Sequence, residues 1–120
     1  MTDRATLYGI PNCDTVRKAR RWLDGRGVDY RFHDLRADRI DPSTLNEWLE
    51  AVGADVLINR RSTTWKQLTE TQRSRAAGTG AAELLADHPT LIKRPVLVVD
   101  AEITVGFSEA RYAERLASTD

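Results

Sequence analysis

Strand signals occur only towards the two ends of this 120-residue chain. Near the start, ATLYG at residues 5–9 is a short apolar run. VDYRFHDL at 28–35 alternates Val28, Tyr30 and Phe32 with Asp29, Arg31 and His33, the period of two of a half-buried strand. Between them Val16, Ala19, Trp22 and Leu23 recur at helical spacing, and Gly25 and Gly27 stop the pattern. The first 35 residues therefore read as βαβ. Near the far end, VLVVD and EITVGF are β-branched runs separated by the polar DAE, an antiparallel hairpin signal.

The middle of the chain has a different period. Asp41 stands as N-cap and Pro42 at the first helical position. Leu45, Trp48, Leu49 and Val52 then share one face, and Gly53 closes the helix. Further helices are expected around 55–58, 64–77 and 80–88, joined by NRRST and AGTG, so that 41–92 forms an all-helical block. A last helix starts near Ser108, with Ala110, Ala113 and Leu116 at helical spacing. The order βα, β, helical block, ββα is that of an α/β thioredoxin-like fold, a mixed four-stranded sheet with an all-helical insertion. One domain over 1–120 is expected, with its core in 1–40 and 93–120 and the insert in 41–92.

Charge narrows the partners. Eighteen basic and eighteen acidic residues leave no bulk positive field, so direct nucleic-acid binding is not expected. The basic residues are 15 Arg and 3 Lys, which makes any single arginine a weak clue. No leader pattern opens the chain and no apolar run is long enough to cross a bilayer, so a cytoplasmic protein with no membrane partner is expected, as is a monomer.

Cys13, the only cysteine, cannot form an internal disulfide and is a buried spectator, a metal ligand or a reactive thiol. It lies between the first strand and the first helix, where a thioredoxin-like domain carries its reactive cysteine. The unpaired N–H groups and dipole of a helix start stabilise a thiolate. Free cysteines are more often small buried hydrophobes, but PNCDT is a turn, and turns lie at the surface. His33 and His88 have no ligand spacing with Cys13, so no metal is expected. Arg17 and Lys18 either add positive potential or simply face water, and Asp14 opposes the thiolate while favouring the helix. Pro95 opens a strand, the place of the cis-proline in such domains.

The segments YGIPNCDTVRKARRWL, FHDLRA, LINRRSTTWKQL, HPTLIKRPVLVVD and VGF, in this order, resemble the glutathione-linked arsenate reductase (ArsC) family. The resemblance is strongest to its YffB-like branch, with the Spx regulators as cousins. It implies Cys13 as nucleophile, Pro95 as the cis-proline, and Arg94 beside it as a contact for oxyanion or thiol ligand. Arg61 from the insert joins them, with Arg60 as the alternative and Asn12 completing the thiol-binding set. The arsenate-reducing pattern is broken at Gly9, Val16 and Phe107, where it has histidine, serine and arginine, and its insert arginine falls at the position of Asn59 here. Val16 also stands where Spx has the second cysteine of its C-x-x-C switch.

The expected activity is a glutathione-dependent thiol-disulfide reductase with one cysteine nucleophile. No cofactor is bound, glutathione or an equivalent small thiol is co-substrate, and a glutaredoxin-like protein is a possible partner. The alternatives are an Spx-like RNA polymerase-binding regulator and an arsenate reductase proper.

Overall fold

Strand β1 (Ala5–Gly9) sends Ala5, Leu7 and Gly9 to one buried side and leaves Thr6 and Tyr8 half-exposed, as its alternation requires. A computed structural model describes residues 5–117. Helix α1 (Asp14–Gly25) buries Val16, Ala19 and Leu23. It ends where Gly27, at φ 68°, turns the chain and the Val28 N–H reaches the Leu23 carbonyl at 3.1 Å. Strand β2 (Arg31–Asp34) runs parallel to β1 with Leu7 opposite Phe32 and Gly9 opposite Asp34. It is shorter than the alternation over 28–35, because Val28 is occupied in closing α1 and pairing begins only at Arg31. Val28 and Tyr30 still pack on the core.

Strand β3 (Val96–Val99) pairs antiparallel with β1, Tyr8 opposite Val96, and β4 (Glu102–Val105) pairs antiparallel with β3. The sheet order is β2-β1-β3-β4, a mixed four-stranded sheet of thioredoxin-like type. The hairpin between β3 and β4 turns on two residues, Asp100 at φ 49° and Ala101 at φ 73°. The last helix described, Glu109–Ala117, follows Ser108, whose Oγ accepts from the Arg111 N–H at 3.4 Å. Ala5, Leu7, Ala19, Leu23, Leu97, Val99 and Tyr112 form the core of this part of the chain.

The chain divides into two compact units, Leu35–Lys93 and the segments on either side of it. The middle unit is helical: α2 (Pro42–Val52), α3 (Ala54–Leu57), α4 (Thr63–Gln67), α5 (Glu70–Ser74) and α6 (Ala81–Asp87), with 3₁₀ turns at Arg75–Ala77 and Pro89–Leu91. The helix after the sheet strands is accordingly α7. Helix α2 packs on α6, with Leu45, Trp48, Leu84 and Leu85 buried. Gly53 closes α2 at φ 87°, a left-handed conformation that glycine adopts freely.

The single helix expected over 64–77 is two helices. Leu68 leaves the helical region, and Thr69 starts α5 with a capping box. Its Oγ1 accepts from the Gln72 N–H at 3.1 Å while Gln72 Oε1 accepts from the Thr69 N–H at 2.9 Å. No helix among the described residues is long and apolar enough to cross a membrane.

Candidate functional site

The register of the sheet sets one end of it apart. Tyr8 pairs with Val96, and the Gly106 N–H donates to the Pro95 carbonyl at 2.8 Å. The turn leaving β1, the chain entering β3 and the chain leaving β4 therefore meet at the same end. Cys13 lies on the first of these, Arg94 and Pro95 on the second, Gly106 and Phe107 on the third. The Arg94–Pro95 bond is cis and Pro95 is buried.

The turn at Pro11 and Asn12, both exposed, is closed by the Cys13 N–H donating to the Ile10 carbonyl at 3.2 Å. Cys13 is the N-cap residue of α1, in extended conformation, and its carbonyl accepts from the Arg17 N–H at 2.9 Å. The N–H groups of the first turn before Arg17 thus lie without intrahelical partners close to the sulfur-bearing residue. The thiol is free, half-buried, and makes no capping hydrogen bond.

The charges around it sort themselves. Arg17 Nη1 donates to Asp14 Oδ1 at 2.8 Å, so the two charged neighbours of Cys13 largely neutralise each other at the surface. Lys18 is exposed. Arg94 is half-buried; its Nε is buried without a hydrogen bond, although the residue has other interactions. Val16 is fully buried, and Phe107 lies in an aromatic group, 5.0 Å from Tyr112 and 6.4 Å from Trp22 between ring centroids. Tyr112 donates from its hydroxyl to the Gly106 carbonyl at 3.1 Å, and burial pushes its phenol far above the ordinary tyrosine range, only partly offset by Arg111.

Arg60 and Arg61 belong to the helical unit, at a turn between α3 and α4. The Arg61 N–H donates to Asn59 Oδ1 at 3.1 Å, and the Asn59 carbonyl accepts from both the N–H (3.2 Å) and the hydroxyl (2.8 Å) of Ser62. Asn59 therefore shapes the turn that presents both arginines, each exposed. Arg60 pairs with Asp55 at 3.2 Å and sits over the Trp65 ring at 5.4 Å. Arg61 lines an open cleft together with Lys93. Lys93 has no signal of its own in the sequence; its place comes from one antiparallel bridge, Ile58 to Ile92, which no strand pattern announces. No group of three or more His, Cys, Asp or Glu among the described residues could hold a metal.

Residues 8–115 match the ArsC family. The solved structure of a YffB protein superposes with a TM-score of 0.88 at 42% identity, over 93% of this chain and 98% of that one. An uncharacterized protein of Haemophilus influenzae is 43% identical over 112 residues, 93% of this chain and 98% of its own length. The global transcriptional regulator Spx of Listeria innocua is 29% identical over 106 residues, 87% of this chain and 80% of the regulator. With a family match of that extent and a relative of that identity, the chain belongs to the ArsC family.

Proposed function

We propose that the protein is a thiol-disulfide oxidoreductase working through Cys13. The observation that supports this best is the setting of the thiol: free, half-buried, at the N-cap of α1 and at the same sheet end as Arg94 and Pro95. The Cys13 thiolate attacks one sulfur of a disulfide substrate. A Cys13 mixed disulfide forms and the other sulfur leaves as thiolate. An external thiolate then attacks the substrate sulfur of the mixed disulfide, restoring the Cys13 thiolate and leaving a disulfide between substrate and external thiol. A second external thiolate displaces the remaining substrate thiolate from it, so two external thiols are oxidised to one disulfide for each substrate disulfide reduced. Since the chain has no second cysteine, the resolving thiol must be external; glutathione suits, and a glutaredoxin-like protein could serve as the final donor. Arg94 and Asn12 in the sheet unit are proposed to hold that thiol, and Arg61 in the helical unit is proposed as an anion contact of its own unit, with Arg60 already engaged by Asp55.

The test is mass spectrometry of the intact protein after incubation with oxidised glutathione. One adduct at Cys13, removed by reduced glutathione and absent from Cys13→Ser, is the expected result. No adduct on a folded wild-type protein would end the reading.

A second reading, a regulator that binds RNA polymerase, draws on the similarity to Spx. Its test is co-purification with a polymerase subunit, whereas the reductase reading calls for recovery of small thiols. Arsenate reduction is less well supported, because Phe107 packs among aromatic rings and offers no donor to an oxyanion.

A further inference from the structure

The cleft in the helical unit is lined by Asp55, Ile58, Asn59, Arg60, Arg61 and Lys93 and measures about 460 Å³. That lies within the span of small-molecule sites, about 300–1,000 Å³. Its walls are backbone-fixed on both sides. The Lys93 N–H donates to the Leu57 carbonyl at 2.8 Å and the Asn59 N–H to the Leu91 carbonyl at 2.7 Å, so Lys93 is tied across from the α3 end. On the other side the Asn59 turn sets the position of Arg61.

The charges of this lining do not cancel. Three cations face one carboxylate, and that carboxylate, Asp55, is paired with Arg60. Arg61 and Lys93 have no ion-pair partner among the described residues. Two such cations held at the rim of one concavity repel each other, and an anion placed between them relieves both. A guanidinium grips a carboxylate with two parallel bonds, and an ammonium adds a point charge beside it.

We infer that this cleft binds a small organic anion through its carboxylate, with Lys93 and Arg61 as the two anchors. The volume exceeds what a bare tetrahedral oxyanion fills and fits a short peptide bearing carboxylates. The choice of ligand rests on the thiol-reductase reading: glutathione carries two carboxylates. The cleft itself does not depend on Cys13.

The probe is S-methylglutathione, whose capped sulfur cannot exchange with Cys13, titrated into isotope-labelled protein while backbone amides are followed by NMR. The amides of Asn59, Arg61 and Lys93 should shift saturably. Lys93→Gln and Arg61→Gln should each weaken binding about three- to tenfold, and Lys93→Arg should keep it, as expected for one charge-assisted bond at a solvated site. Cys13→Ser should bind as the wild type does. Sodium chloride at matched ionic strength should leave those amides in place, and inorganic phosphate should shift them only at higher concentration.

Absence of a saturable shift at the three amides overturns the inference. So does unchanged affinity in Lys93→Gln, or phosphate binding as tightly as the peptide. Should the Cys13 adduct form with oxidised glutathione while the cleft stays silent, the cleft falls and the reductase reading stands; binding at the cleft without any adduct is the reverse case.

Discussion

A side chain at position 9 has no room. A Cβ placed on Gly9 would stand 2.7 Å from Val16 Cγ2 and 3.0 Å from its Cγ1, where the end of β1 meets the first turns of α1. Two of the departures from the arsenate-reducing pattern, at 9 and at 16, are therefore sterically coupled: with valine at 16, any side chain at 9 forces Val16 to shift. Gly9→Ala is expected to lose about 1–3 kcal/mol through overpacking, and Val16→Ala about 1–3 kcal/mol through the space it leaves. In the double variant the losses should fall well short of their sum, because the smaller residue at 16 admits the new methyl. Urea unfolding of the four proteins measures this, and strictly additive losses would show that the contact is not what excludes a side chain. Phe107 is similar in kind. Its ring completes a group with Trp22 and Tyr112, so an arginine there would have to break aromatic packing before it could bind anything.

At the scale of elements, the β3–β4 hairpin closes with two residues in the left-handed region. Asp100 tolerates that conformation, whereas Ala101, at φ 73°, places its Cβ against the following carbonyl. Ala101→Gly should raise stability by about 0.5–1 kcal/mol, the strain relieved exceeding the added freedom of the unfolded glycine. A higher urea midpoint with unchanged slope is the expected observation. The strands and α1, α2 and α7 were legible because their apolar periods are long or their caps strong: Pro42 and Gly53 bracket α2, and Gly25 and Gly27 end α1. The break at Leu68 was also written in the chain, as T-x-x-Q at Thr69 and Gln72, but the helical spacing on either side masks it. Cys13 and Pro95 could be placed because each sits at a junction of elements. What escaped reading were contacts between elements that no periodicity encodes: Gly9 at the end of β1 against Val16 in the first turn of α1, and Lys93 beside the Asn59 turn through a single bridge. The preference between Arg60 and Arg61 likewise depends on Asp55, which pairs with the former.

For the molecule as a whole, tyrosines set the alkaline limit. An ordinary phenol titrates near about pH 10, while burial raises Tyr112 far above this and raises Tyr8 as well, against the pull of Arg31. Above that pH the unfolded chain has released protons that the folded chain still holds, so the unfolded state binds fewer and stability falls as pH rises. The contribution is fully present below the unfolded value. Tyr112→Phe should cost about 1 kcal/mol at neutral pH, for the bond to the Gly106 carbonyl. It should also flatten the decline above about pH 10, leaving the smaller slope due to Tyr8. Thermal unfolding between neutral and strongly alkaline buffers reads both effects, and an unchanged slope would show that Tyr112 titrates normally in the folded protein.

The register across the sheet also fixes how the polypeptide leaves and returns. Asp34 is level with Gly9, and the antiparallel pairing of β1 with β3 carries that level on to Pro95. The strand that hands the chain to the helical unit and the strand that receives it back are thus two inter-strand spacings apart at one end of the sheet, about 10 Å. Three or four extended residues span that distance. The 59 residues from Leu35 to Lys93 therefore join two strand ends that a short loop could join without moving any strand by a single register step, so the pairing of the four strands does not itself require a segment of that length.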